Sequence, residues 1–231
     1  MINQEDLSSS VPCMVTAKDI GSSEALANWL RERLPDLQLD LWGTAAGTKR
    51  VENLWNELLE GEILLEDSYP PKRTVHVASV HIKNEMGKTL VEAYQEMEDG
   101  SIRQRNRALS EKMLPGESVQ DACLRGIFEE LGCEMGARER VVILQDSYKK
   151  EEDERDSFSY PGLMTHYVIH KMVAYMQNLP STEFSTEENE SGRSITYEGA
   201  LSCSKFFGGS QSASNPNVAA RCVKRHIWRW I

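Results

Sequence analysis

The sequence predicts a mixed α/β sandwich behind an N-terminal helical extension. Three observations predict it. Apolar residues recur at helical spacing up to Glu62 and then alternate after Pro71. Strand-like runs stand on both sides of one central amphipathic helix. The segments between them are long and polar, which suits packed layers joined by surface loops.

Taken in order, residues 1–20 show no strong period. In 22-SSEALANWLRERL-34, Ser22 or Ser23 can cap a helix and Pro35 stops it. The next helical stretch is 48-TKRVENLWNELLEGE-62, where Val51, Leu54, Trp55, Leu58 and Leu59 form one apolar face. These elements make up the extension, residues 1–70, and the sandwich occupies 71–231. The run 74-TVHVASVHI-82 alternates as a strand. A turn at Gly87 leads to a partner strand in 88–98, and Asp99-Gly100 leads to a third, basic strand, 101-SIRQRNRAL-109. A loop over 110–118 enters the helix at 118–131. A strand follows in 141-VVILQDSY-148, then a charged, solvated loop in 149-KKEEDERD-156 and one long strand or two in 163–176. Residues 180–192 read as an acidic loop, 205–219 as a Gly/Ser/Asn-rich flexible segment, and 224-KRHIWRWI-231 as a short terminal strand or a docked tail.

The chain has 231 residues, enough to bury a full core without staples. Its net charge of −10 argues against nucleic-acid and anionic-membrane partners, which demand a Lys/Arg surplus. It does not forbid a small phosphorylated ligand whose charge a bound metal offsets. Cys13, Cys123, Cys133, Cys203 and Cys222 are odd in number and never spaced C-x-x-C, so neither a zinc site nor a disulfide framework is expected. Cys123 and Cys133 read as small apolar residues. The opening MINQEDLSSSVPC has no basic region and no apolar stretch, and no run reaches the length of a membrane span. A cytoplasmic, reducing location follows as the expectation.

Several chemistries find no pattern. There is no G-x-x-x-x-G-K-[ST] for a P-loop and no G-x-S-x-G for a serine hydrolase. His76 and His81 face opposite sides of their strand. His166 and His170 share a face but lack a third ligand, and read as packing residues. The 103-RQRNR-107 cluster reads as a solvated edge strand, with contact to substrate phosphates as the alternative.

The helix in 114-LPGESVQDACLRGIFEELGCE-134 carries the chemistry. Ser118 and Asp121 form a capping pair, Gly132 closes the helix, and Val119, Ala122, Cys123, Ile127 and Leu131 point inward. Glu129 lies one turn after Arg125, Glu130 lies beside it, and Glu117 stands in the preceding loop. Hard cations such as Mg²⁺ take one or two carboxylates together with phosphate oxygens, so a helix-borne carboxylate group suits phosphate chemistry.

This segment resembles the Nudix box, G-x5-E-x7-R-E-U-x-E-E-x-G-U with U a bulky aliphatic. Glu117, Arg125, Ile127, Glu129, Glu130 and Gly132 match, and Cys133 matches softly. Two positions depart. Glu111 replaces the first glycine, and Gly126 replaces the glutamate after the arginine. The resemblance implies a Nudix-type α/β/α sandwich with a mixed sheet over 71–231 and a Mg²⁺ (or Mn²⁺) cofactor. It implies hydrolysis of a nucleoside-diphosphate-linked or other phosphoanhydride substrate. Arg125, Glu129 and Glu130 would be catalytic, and Glu129, Glu130 and Glu117 would be the metal-binding set. With Gly126, three readings stand. A later carboxylate such as Glu183, Glu187, Glu188 or Glu190 supplies the base; or the domain binds a phosphorylated ligand without turnover; or the box supports the fold alone.

Overall fold

The computed structural model describes residues 13–34, 39–45, 47–131, 140–187 and 223–231. Pro35, Gly132, Cys133, Glu188, Glu190, Cys203, Cys222 and the 205–219 segment lie outside them. The chain is mixed α/β and divides into two units. One comprises Met1–Val75 with Glu154–His166, the other His76–Asp153 with Tyr167–Ile231.

In the first unit, β1 (Met14–Val15) leads through α1 (Ala17–Ile20) to α2 (Ser23–Arg33). Ser22 caps α2 by accepting from the Ala25 amide at 3.1 Å, as its sequence predicts. Leu26 and Leu30, one turn apart, are fully buried. A 3₁₀ turn (Leu39–Leu41) precedes α3 (Val51–Leu59). Of the expected apolar face of α3, Leu54 and Leu58 are buried, but Leu59 is 56% exposed and Glu57 is buried in its stead. The reason is electrostatic. Glu57 accepts from Arg73 Nη2 at 2.8 Å and from Lys49 Nζ at 2.9 Å, so the carboxylate is compensated where it lies. Next, β2 (Ile63–Glu66), which no sequence signal marks, pairs antiparallel with β1 and with the start of β3 (Lys72–Lys83). Trp42 donates to the Pro161 carbonyl at 3.0 Å, and its ring packs at 5.1 Å from that of Tyr160.

The second unit takes up β3 from His76 and continues with β4 (Leu90–Met97), β5 (Ile102–Arg107), β6 (Leu109–Lys112) and α4 (Val119–Leu131). After α4 come β7 (Val141–Asp156), β8 (Met164–Met176), β9 (Phe184–Glu187) and β10 (Val223–Trp230). Two sheets result here, one in the order β6-β3-β8-β7 and one in the order β5-β4-β10-β9. The expected β3–β4 partnership is reduced to a single bridge, Lys83↔Thr89, and the two strands belong to different sheets. The cause lies in β4. Residues 90–93 are buried without a break, the mark of a strand covered on both faces. It is flanked by β5 and β10, both antiparallel.

Three segments expected as loops are strands. Leu109–Lys112 pairs with Val77–Val80, and Phe184–Glu187, inside the expected acidic loop, pairs with Arg225–Trp228 of β10. Residues 149–156 extend β7, with their side chains solvated as expected. A strand is held by backbone hydrogen bonds, so charge on its side chains does not forbid it. Lys171 of β8 reaches Glu151 of β7 at 2.5 Å. The core joins Ala122, Cys123, Ile127 and Leu131 of α4 to Val80 and Ile82 of β3 and Trp228 of β10. Each such aliphatic side chain stabilises by ~1.5–3 kcal/mol on full burial. This packing fixes the opposite, carboxylate-bearing side of α4.

Candidate functional site

The loop before α4 is a tight turn. Leu114-Pro115-Gly116-Glu117 closes with the Glu117 amide donating to the Leu114 carbonyl at 3.1 Å, and Gly116 has φ 74°. Proline second and a positive-φ glycine third suit a type II turn. Glu117 Oε2 accepts from the Leu114 amide at 3.0 Å. Ser118 then caps the helix, accepting from the Asp121 amide at 3.1 Å and donating to the Asp121 carboxylate at 2.6 Å.

Arg125 gathers what this loop and its neighbours present. Its Nε and Nη2 donate to Glu117 Oε1 and Oε2 at 2.9 and 3.0 Å, a two-pronged contact. Nη2 also donates to the Lys112 carbonyl at 2.7 Å. Nη1 donates to Glu129 Oε2 at 3.2 Å and to Glu111 Oε2 at 3.3 Å. One guanidinium thus ties α4, its entry loop and β6 together. Bonding to Arg125 draws the Glu117 carboxyl below the usual range, and Glu117 in turn raises Arg125. Burial, then the nearby Glu129 charge, push the Glu111 carboxyl upward against the pull of Arg125. Cys123, buried behind this group, has its thiol pushed up to about 12 by burial and then by Glu117, and serves as an apolar filler.

Glu130 faces a different group. His226 Nδ1 lies 2.7 Å from Glu92 Oε1 and 3.2 Å from Glu130 Oε2. Carboxylates accept only, so Nδ1 carries the proton and donates between them. Glu92 Oε1 also accepts from Gln95 Nε2 at 2.6 Å, and Glu92 Oε2 accepts from Arg105 Nε at 3.0 Å. Burial would raise the Glu92 carboxyl, but the His226 bond and the Arg105 charge outweigh it and leave it lowered. Arg105, expected on a solvated edge, therefore turns inward within β5. Of the later acidic residues, Glu187 is ion-paired to Arg225 at 2.6 Å.

The structure brings Glu117, Arg125 and Glu129 together, adds Glu111, and sets Glu130 with Glu92 and His226. Sequence reasoning found neither Glu92 nor His226. They are far apart along the chain and no local spacing joins them.

Position 126 tests whether the group suits a divalent cation. A Cβ there would lie 2.6 Å from Glu111 Cγ and 2.9 Å from Leu109 Cδ2. The space a helix side chain would fill therefore holds the stem of another glutamate. The donors nearby are all oxygen, which fits Mg²⁺ or Mn²⁺. Among the described residues, no three His, Cys, Asp or Glu form a ready cage. An ion here would complete its shell with waters and phosphate oxygens, as Mg²⁺ commonly does. Among the described residues, no helix is long and apolar enough to cross a membrane. No protein-family model and no curated protein matches the chain.

Proposed function

We propose that this chain is a Mg²⁺- or Mn²⁺-dependent hydrolase of a phosphoanhydride, built on a Nudix-type fold. Its substrate class is a nucleoside diphosphate linked to another group. The observation that carries the reading is the five-bond engagement of Arg125 with Glu117, Glu111, Glu129 and the Lys112 carbonyl. Arg125, Glu129 and Glu130 of α4 keep the box spacing with Glu117 of its entry loop. Glu129 and Glu130 would hold the ion, with Glu117 bracing the loop beside them. When bound, such an ion offsets phosphate charge and makes a coordinated water more acidic. The chain's own part is orientation. Arg125 aims the Glu129 carboxylate, and the Glu92–His226 pair holds Glu130 in place.

The test is a phosphate-release screen with Mg²⁺ and Mn²⁺ over nucleoside diphosphate sugars, dinucleoside polyphosphates, NADH and ADP-ribose. Turnover should appear and should fall about a hundredfold or more in Glu129→Gln/Glu130→Gln. Metal-dependent nucleotide binding without turnover would identify a ligand-binding domain. Turnover that survives the double substitution would place the chemistry elsewhere.

A further inference from the structure

The two departures from the box meet in space. Glu111 stands on β6 where the pattern has a glycine, and Gly126 stands on α4 where it has a glutamate. A Cβ at 126 would sit 2.6 Å from Glu111 Cγ and 3.3 Å from Glu111 Cβ. The bare helix backbone is what admits the glutamate stem. Glu111 is neither left in solvent nor sealed away; its side chain is 23% exposed. Its Oε2 and that of Glu129 both accept from Arg125 Nη1, at 3.3 and 3.2 Å. Arg125 thus brings the strand carboxylate to the side of the helix carboxylate.

Resting on the hydrolase reading above, we infer that Glu111 is a metal-coordinating carboxylate. It is supplied from β6 in exchange for the one missing at position 126. The exchange is reciprocal. The glutamate needs the glycine for room, and the glycine leaves a metal site short of a carboxylate unless the glutamate is there. Oxygen ligation depends on where the carboxylate ends, not on which backbone carries it. Glu111 and Glu129 are each bonded to Arg125 through Oε2, and a carboxylate carries a second oxygen that can accept a cation.

Mn²⁺ binding to the purified full chain, followed by electron paramagnetic resonance with no substrate present, tests this apart from activity. Wild type should bind Mn²⁺. Glu129→Gln and the near-isosteric Glu111→Gln should each weaken binding by about tenfold or more, with thermal stability measured alongside to show that the fold is kept. Gly126→Glu alone should lower the Tm, because two side chains would claim one space. The exchange variant Glu111→Gly/Gly126→Glu should recover both the Tm and Mn²⁺ affinity to within about threefold of wild type, a small part of the single-site loss.

Wild-type affinity in Glu111→Gln, with loss in Glu129→Gln, would overturn the inference and leave the hydrolase reading in place. Recovery of the Tm without Mn²⁺ affinity in the exchange variant would reduce the pair to a packing contact and overturn it as well. Failure of wild type to bind Mn²⁺, or binding indifferent to Glu129→Gln, would remove the reading and the inference together.

Discussion

A single methyl group at position 126 would show how tightly α4 sits on β6. In an exposed helix, Gly→Ala stabilises by about 1 kcal/mol. Here the new Cβ would press on Glu111 Cγ at 2.6 Å and Leu109 Cδ2 at 2.9 Å, and overpacking of this kind costs ~1–3 kcal/mol. The second effect wins, since one of the crowded atoms is the stem of a side chain anchored on Arg125. Gly126→Ala should therefore lower the Tm by about 2–4 °C in a scanning-calorimetry trace; a rise would show that β6 yields freely. At this scale the sequence was informative where spacing is local. Arg125 and Glu129, four residues apart on one helix, could be read from helical geometry, and Glu117 from its place in the box-like spacing. Glu111 could not, because it lies on a strand that resembles a loop, and its partner is set by strand–helix packing. The Glu92–His226 contact is likewise invisible to any local period.

Among the elements, β3, β8 and β7 lie side by side and each contributes one polar ring to a row. His76 Nδ1 is 3.1 Å from His170 Nε2, and Tyr148 Oη is 3.0 Å from His170 Nδ1. Burial, then the His76 and Lys150 charges, hold the His170 pKa below its ordinary 6.5. The unfolded chain thus takes up this proton first as pH falls. Stability from this group is full above 6.5 and is lost as pH drops through the lowered folded value. Urea midpoints at pH 7.5 and 5.5 should differ more in wild type than in His170→Gln; equal differences would exclude His170 as a source. Periodicity revealed α2, α3, α4 and β10, each with an apolar stripe or clear alternation. It missed β2, β6 and β9, which are only four residues long, and the charged half of β7. Their pairing is written in backbone hydrogen bonds, which side-chain polarity does not report.

For the molecule as a whole, the division into two units was the least legible feature. Residues 154–166 join a unit otherwise drawn from the start of the chain, and only long-range contacts such as Trp42 with Pro161 announce it. The acidic balance hid a similar fact, for Glu57 looks like surface charge and is a buried partner of Arg73 and Lys49. Glu57→Ala leaves Arg73 buried without its carboxylate, and breaking such a pair costs ~3–5 kcal/mol. Chemical denaturation should register that loss. Mn²⁺ affinity of the folded protein should stay unchanged, since every residue of the carboxylate group belongs to the other unit; a parallel fall in affinity would contradict this assignment.

The meeting of Glu111 with Gly126 also bears on descent. A lineage passing between the two arrangements one codon at a time must cross a chain with two glutamates in one space or with none. The first intermediate is crowded and the second is a carboxylate short. The changes should therefore travel as a pair. Chains of this kind are best sought with a pattern in which the glutamate and the glycine have traded places.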